Sequence, residues 1–236
     1  MEVTLIASTT FNHGAFEDAT GFRSDKSATD ADQLAEAAGR LCYKAWDRPN
    51  PATARNRDYI ANIINHQHYS VLEHASATFL IRGVSRSLLA ELTRHRHLSF
   101  SVESQRYVPQ EGKLAVVPPA LRDTEWETRL QEFTEQAQEL YCQVRNWLAA
   151  QGVPRKQARE AARAFLLGSQ PVDLIVTGNM RAWREVISKR YHVAADREIQ
   201  ELAGTLLWWL KHIAPASFQD FDLEQPIGND EIRRAA

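Results

Sequence analysis

The longest periodic run in this sequence, Glu125 to Ala149, constrains everything around it. Leu130, Phe133, Ala137, Leu140, Val144 and Leu148 recur at helical spacing, which predicts one long amphipathic helix with these side chains turned inward. Gly152 stops it, and Pro154 suits the first turn of a second helix running to about Leu167. Such a face has to be covered by other elements, and most of those that the sequence offers are helical as well.

Asp30 to Tyr43 reads as a helix capped by Thr29 or Asp30, with Leu34, Ala37 and Leu41 on one face. Arg48-Pro49-Asn50-Pro51 breaks it. A helix over Ala54 to His66 follows, with Thr53 as a cap and Tyr59, Ile60, Ile63 and Ile64 inward. Ser85 is placed to cap a helix carrying Leu88, Leu89 and Leu92. Helices near Met180 to Tyr191 and Ala195 to Ile213 complete the set, and Pro215 ends the last. Strand-like runs are few and short: Val3 to Ser8, Ala75 to Arg82 ending at Gly83, and Val172 to Thr177. The order predicts an α+β fold, helix-rich, with a small mixed or antiparallel sheet. One domain is expected over residues 1–221, followed by a polar tail over 222–236.

A formal net charge of −2 creates no global field for nucleic acid or an acidic membrane, so any anion binding has to be local. No apolar run reaches 18 residues, and Met1 to Thr10 lacks the pattern of a secretory signal. Two cysteines, Cys42 and Cys142, make no disulfide framework. These features lead us to expect a reduced, cytoplasmic protein with no membrane span.

The densest chemical cluster is the run from Arg94 to Tyr107, with three arginines, two histidines and three serines in fourteen residues. Arginine forks match phosphate and carboxylate oxygens, and serine hydroxyls add donors. Such a segment can hold a nucleotide phosphate; a solvated basic turn at a helix end explains the composition equally well. Two further features bear on the choice. Arg190 shares a helical face with Trp183, Val186 and Ile187, and an arginine there needs an anion, a strong acceptor or a route to solvent. Arg155, Arg159 and Arg163 form a stripe at four-residue spacing. A third cluster, His66 to His74, holds three histidines and Glu73, but it lacks a strong metal-ligand spacing, and hydrogen-bonding loop histidines account for it better.

Arg94-His95-Arg96, then seven residues, then Ser104, extended by Gln105-Arg106-Tyr107, resembles the signature of flavin-dependent thymidylate synthases. HYSVLEH at 68–74, RKQAREAAR at 155–163 and TGNMRAWR at 177–184 resemble further segments of that family in the same order, and the likeness runs from about Ala37 to Phe221. The resemblance implies reductive methylation of dUMP to dTMP with 5,10-methylenetetrahydrofolate, NADPH and FAD, in a homotetramer whose sites lie between subunits. It assigns Ser70, Arg94, His95, Arg96, Asn179, Met180 and Arg181 to FAD. It assigns Glu91, Leu92, Thr93, Arg94, Glu103, Ser104, Gln105, Arg106, Arg163 and Arg190 to the nucleotide, with Arg190 and Ser104 as catalytic residues and no metal. Arg190 matches the arginine that promotes ionisation of the uracil ring. Val102 departs from the family, which has Glu or Gln two residues before the signature serine, and Glu103 stands beside the lost contact. Glu185 falls where some relatives have His near the flavin.

Uracil C5 has to be made nucleophilic, and the unrelated class of thymidylate synthase does this with a cysteine. Neither Cys42 nor Cys142 lies beside a basic cluster or a helix N-terminus, so neither has a means of lowering its pKa, and both read as core residues. A flavin route needs no such nucleophile. Two alternatives compete: a metal-dependent nucleotide phosphohydrolase using His66, His68, Glu73 and His74, and a nucleic-acid-binding module built on the arginines.

Overall fold

Eight α-helices and four strands appear among the residues described by the computed structural model, which are 1–23, 25, 27–47 and 50–228. Arg48 and Pro49 of the expected helix break, and residues 229–236 of the expected tail, lie outside them. In chain order the elements are β1 (Glu2–Ser8), α1 (His13–Thr20), α2 (Asp30–Tyr43), α3 (Asn56–Asn65), β2 (Ser76–Ser85), α4 (Arg86–Leu92), β3 (Ser99–Val102), α5 (Glu125–Ala150), α6 (Arg155–Ala162), β4 (Pro171–Asn179), α7 (Met180–Arg190) and α8 (Arg197–Ile213). The strands form one antiparallel sheet in the order β1-β2-β4-β3, so the fold is α+β and helix-rich. No helix among the described residues is long and apolar enough to cross a membrane.

The sequence reads as one domain over residues 1–221. By contacts, the chain sorts into two compact units, each assembled from non-contiguous segments. The first comprises Met1–Glu2, Leu80–Arg94 and Phe100–Ile175; the second comprises Val3–Phe79, His95–Ser99 and Val176–Ala236.

In the first unit, α5 packs on α6. The helix is where the sequence puts it, but rotated. Thr134, Ala137, Gln138 and Tyr141 face inward, while Phe133 and Leu140 are 57% and 46% exposed. The reason lies in its glutamines. Gln138 accepts from Gly112 N at 2.8 Å and donates to Lys113 O, and Gln131 both accepts from Ala115 N and donates to Ala115 O. These amides satisfy an otherwise unpaired stretch of backbone, so the polar side turns in. An outer row of Trp126, Phe133, Leu140 and Trp147 is left exposed. Strand β2 continues past Gly83 to Ser85, because glycine accepts a φ of 65° there and its N–H finds Asp173 Oδ1 at 3.0 Å.

In the second unit, α2 has the expected bounds but only part of the expected face: Ala37 is buried and Leu34 half-buried. Leu41 is 60% exposed, whereas Asp32, Gln33, Glu36 and Arg40 are buried. Each is engaged by a partner. Asp32 accepts from Ala216 N, Ser217 N and Ser217 Oγ at 2.6–3.0 Å. Glu36 binds Arg40 and Asn56, and Asn56 also donates to Asp32 O. Arg40 lies between the rings of Phe22 and Tyr59. Helix α3 starts after Arg55; Thr53 belongs to a 3-10 turn before it and does not cap it. Helix α1 has no buried residue, so it carries no hydrophobic period in the sequence; Asn12 caps its start by accepting from Ala15 N. Trp183 on α7 is fully buried, donates to Ala77 O at 3.2 Å and meets Phe79 edge-on.

Candidate functional site

In the second unit, the end of β4 from Val176 runs straight into α7, and Asn179 stands at the junction. Its side chain caps the helix by accepting from Ala182 N at 2.8 Å, while Met180 N donates to Ala75 O. This fixes the first turn of α7 over a cavity of about 500 Å³, lined in part by Tyr69, Glu73, His97, Asn179, Arg181 and Glu185. Arg181 reaches across it to Glu73. Ser70 is exposed on the 3-10 turn Tyr69–Glu73, whose two ends line the cavity. Arg96 is exposed, whereas Met180, expected to contact FAD, is buried with its N–H bonded to Ala75 O, so it positions the helix start and is not open to a ligand. Arg184 also lines the cavity, but its guanidinium is engaged: it clamps Asp220 through two hydrogen bonds, donates to Ser217 O and lies over the Phe221 ring.

His95 and Arg190, 95 residues apart, meet in this unit. Arg190 Nε donates to His95 Nε2 at 3.0 Å, and His95 is buried. An acceptor nitrogen carries no proton, so this contact selects the tautomer of the ring with its hydrogen on Nδ1. Glu185 is drawn below the usual glutamate range, first by a hydrogen bond from Lys189; burial opposes this, and the charges of Lys189, His95 and His97 add to it.

In the first unit, Ser85 caps α4 by accepting from Leu88 N at 3.0 Å, and Arg86 opens the helix. Arg86 Nη2 donates to Glu103 O at 2.8 Å, and its Nε is buried with no hydrogen-bond partner among the described residues. Burial lowers the Arg86 pKa from its ordinary value; the Glu103 charge opposes this and the Arg163 charge reinforces it. The signature segment forms a turn in which Ser104 O accepts from Tyr107 N and Val108 N, and Ser104 Oγ accepts from Arg106 N. Helix α6 braces that turn. Arg159 Nη1 donates to Tyr107 O, Arg106 pairs with Glu160 at 3.2 Å, and Lys156 lies over the Tyr107 ring. Arg159 is buried and its Nε also lacks a partner among the described residues. Arg163 is exposed at the end of α6. Glu103 turns its carboxylate to Gln110 and Lys113. Of the other expected contacts, Gln105 and Glu91 are half-buried, Thr93 and Arg94 are exposed, and Leu92 is fully buried, a core residue closed to a ligand.

The first unit thus gathers Ser104 and Arg106 with Arg86, Lys156 and Arg159, and the second gathers Asn179 and Arg181 with Glu73, His97 and Glu185. Sequence reasoning singled out Arg159 only as part of a stripe and missed Arg86, whose position just after a cap residue was the available signal. Glu73, placed among possible metal ligands, is bound to Arg181 instead. Among the described residues no group of three or more His, Cys, Asp or Glu side chains is gathered as a metal site requires.

The orphaned Nε atoms of Arg86 and Arg159 suit an anionic ligand, since a buried guanidinium edge without an acceptor is costly. The donor set of the α7 cavity, guanidinium, amide and imidazole, suits the phosphates and ring carbonyls of a flavin nucleotide. Residues 26–216 match the family described as thymidylate synthase complementing protein. A probable flavin-dependent thymidylate synthase of Mycobacterium phage L5 is 49% identical, covering 93% of this chain and 97% of its own length. One from Mycobacterium phage D29 is 48% identical over 95% and 97%. The flavin-dependent thymidylate synthase of Mycobacterium bovis BCG Pasteur is 46% identical over 86% of each chain. At this identity and coverage, the chain belongs to the thymidylate synthase complementing protein family, that of the flavin-dependent thymidylate synthases.

Proposed function

We propose that this chain is a flavin-dependent thymidylate synthase, converting dUMP to dTMP with 5,10-methylenetetrahydrofolate as the one-carbon donor, NADPH as reductant and FAD as cofactor. The observation that carries the reading is the braced signature turn, with the unused Nε atoms of Arg86 and Arg159 in the same unit. Ser104, Arg106, Arg86, Arg159 and Arg163 hold the nucleotide phosphate in this reading, with Gln105 and Arg94 nearby in sequence. Asn179, Arg181, Ser70, His95, Arg96 and Arg94 hold FAD. Bound FAD supplies the hydride and carries the one-carbon unit.

The remaining chemistry falls to the protein's own side chains. Arg190, held by His95, faces negative charge developing on the uracil ring and stabilises it without reorganising. No cysteine is placed to attack the ring. Cys42 is exposed in the last turn of α2 and Cys142 lies mid-way along α5, neither at a helix N-terminus. The active protein is a homotetramer in which several copies contribute to each site.

The phosphohydrolase alternative is not favoured, because Glu73 is committed to Arg181. The test is the visible absorption spectrum of the purified protein, followed by bleaching with NADPH and formation of dTMP from dUMP. A flavin spectrum that bleaches is expected. A colourless protein with no affinity for added FAD overturns the reading.

A further inference from the structure

Glu103 is held by its backbone N–H, by its carbonyl and by one carboxylate oxygen, Oε1. Its N–H donates to Asp173 O at 2.9 Å, and its carbonyl accepts from Arg86 Nη2 at 2.8 Å. Its carboxylate accepts from Gln110 Nε2 at 3.0 Å and pairs with Lys113 Nζ. The far ends of these contacts are themselves fixed. Gln110 is fully buried, and its carbonyl accepts from Gln170 Nε2 at 3.0 Å. The backbone at Lys113 is pinned by Gln138, which donates to Lys113 O and accepts from the neighbouring Gly112 N. The Lys113 side chain therefore springs from a fixed root, and its ammonium meets the Glu103 carboxylate to complete the tie. Burial would raise the Glu103 pKa, yet the hydrogen bonds from Lys113 and Gln110, with the charges of Lys113 and Arg86, bring it below the ordinary glutamate value. The group is a carboxylate at neutral pH.

Ser104 follows directly, and the whole turn Ser104–Tyr107 lies between the two ends of this tie. We propose that the Glu103–Lys113 pair is a strut that closes the base of the signature turn and holds Ser104 and Arg106 in position for the nucleotide phosphate, so that Glu103 is a positioning residue for dUMP rather than a contact to it. This rests on the nucleotide reading of Ser104 and Arg106. The strut acts by preorganisation. A closed base removes conformers that binding would otherwise have to select against. It also changes the meaning of Val102, because the residue beside the lost polar contact serves the turn and leaves that contact unreplaced.

The test uses Glu103→Gln, Lys113→Met and the double variant as folded, FAD-loaded protein. Amide hydrogen exchange is followed across residues 104–110, and dUMP affinity is measured by titration. Both single variants are expected to exchange faster at Tyr107 and Val108, whose N–H groups bond to Ser104 O. Each should bind dUMP about tenfold more weakly, as for loss of a charge-assisted hydrogen bond. The double variant should be no worse than either single, and FAD affinity should stay within about twofold, since the strut touches only the turn. Unchanged exchange overturns the strut. Loss in Glu103→Gln but not in Lys113→Met overturns it too, and makes Glu103 a direct ligand contact. Multiplying losses in the double variant do the same. If the parent binds no dUMP while exchange responds as described, the nucleotide reading fails and the strut stands. Should Glu103→Gln not fold, Lys113→Met, at the more exposed end of the pair, carries both measurements alone.

Discussion

Replacing His95 tests whether Arg190 works as a placed charge or simply as a charge. The contact to be removed is one hydrogen bond, Arg190 Nε to His95 Nε2 at 3.0 Å, made by a cation to a buried neutral ring. Hydrogen bonds to charged groups contribute about 1.5–3 kcal/mol. At about 1.36 kcal/mol per tenfold, that is roughly 10- to 150-fold in the population of the held rotamer. Arg190 is only half-buried, so the lower end applies, and His95→Ala should slow single-turnover methyl transfer about tenfold. Arg190→Ala removes the charge itself and should cost on the order of 100-fold or more. Arg190→Lys keeps the charge without the planar fork or the Nε–H that His95 receives, and should also fall sharply. The double variant decides the matter. If His95 acts through Arg190, His95→Ala adds nothing to Arg190→Ala. FAD content and dUMP affinity are measured alongside, because His95 is also a proposed flavin contact. Losses that multiply in the double variant refute the positioning role. An Arg190→Ala protein that loses only dUMP affinity and keeps the parent's single-turnover rate refutes the activation role altogether.

Replacing both Cys42 and Cys142 with Ala should leave turnover within about fewfold of the parent, and loss of chemistry in a folded protein would contradict the flavin route. Gly178→Ala should destabilise by about 1–3 kcal/mol in chemical denaturation, since overpacking of a tight core carries that cost; its new Cβ would stand 2.4 Å from Leu98 Cδ2 and 3.2 Å from the Trp183 ring. Burial pushes Asp32 above its ordinary pKa of 3.8, and the donors at Ser217, Ala216 and Thr29 only partly offset this, so the folded state holds the proton more tightly than the unfolded chain. Its contribution to stability is therefore full below pH 3.8 and declines as pH rises through the folded pKa; Asp32→Asn should remove that part of the stability–pH curve, and an unchanged curve would show that Asp32 does not titrate there. Mixing two inactive variants, Arg94→Ala and Arg190→Ala, should restore activity once subunits exchange, and no recovery with exchange verified would argue for sites built from single chains.

What the sequence made legible follows the physics that each signal reports. Helix α2 has the bounds that the sequence predicts, although Thr29 makes no side-chain cap bond and Lys44 in the left-handed conformation ends it; its buried face was misread in part because hydropathy cannot announce that Asp32, Glu36 and Arg40 will meet partners at Ser217, Asn56 and each other. The same cause rotated α5, where Gln131 and Gln138 outcompeted Phe133 and Leu140 for the inside. Cys42, read as a core residue, follows Leu41 to the outside for the same reason. Helix α1 and strand β3 were invisible, one because it buries nothing and the other because its four residues lie inside a segment read for its charge. In the site, the signature run and the arginine stripe stood out by composition. The contact of His95 with Arg190 and that of Arg159 with Tyr107 did not, since residues 95 and 52 positions apart share no local pattern.

The polar inner face of α2 has a consequence for how the helix can be seated at all. An oily face tolerates slippage, because one methyl group substitutes for another after a shift of a turn. Here a slide of one turn, about 5.4 Å, would carry Asp32 away from the Ser217 backbone and Glu36 away from Asn56. Each group stranded in this way would cost about 1–3 kcal/mol or more, so there is no near-native neighbour for the helix to occupy. It behaves as a key with one depth in its lock. Docking is all or nothing, and a chain that has seated α2 has already found the register of residues 216 and 217 beyond the end of α8.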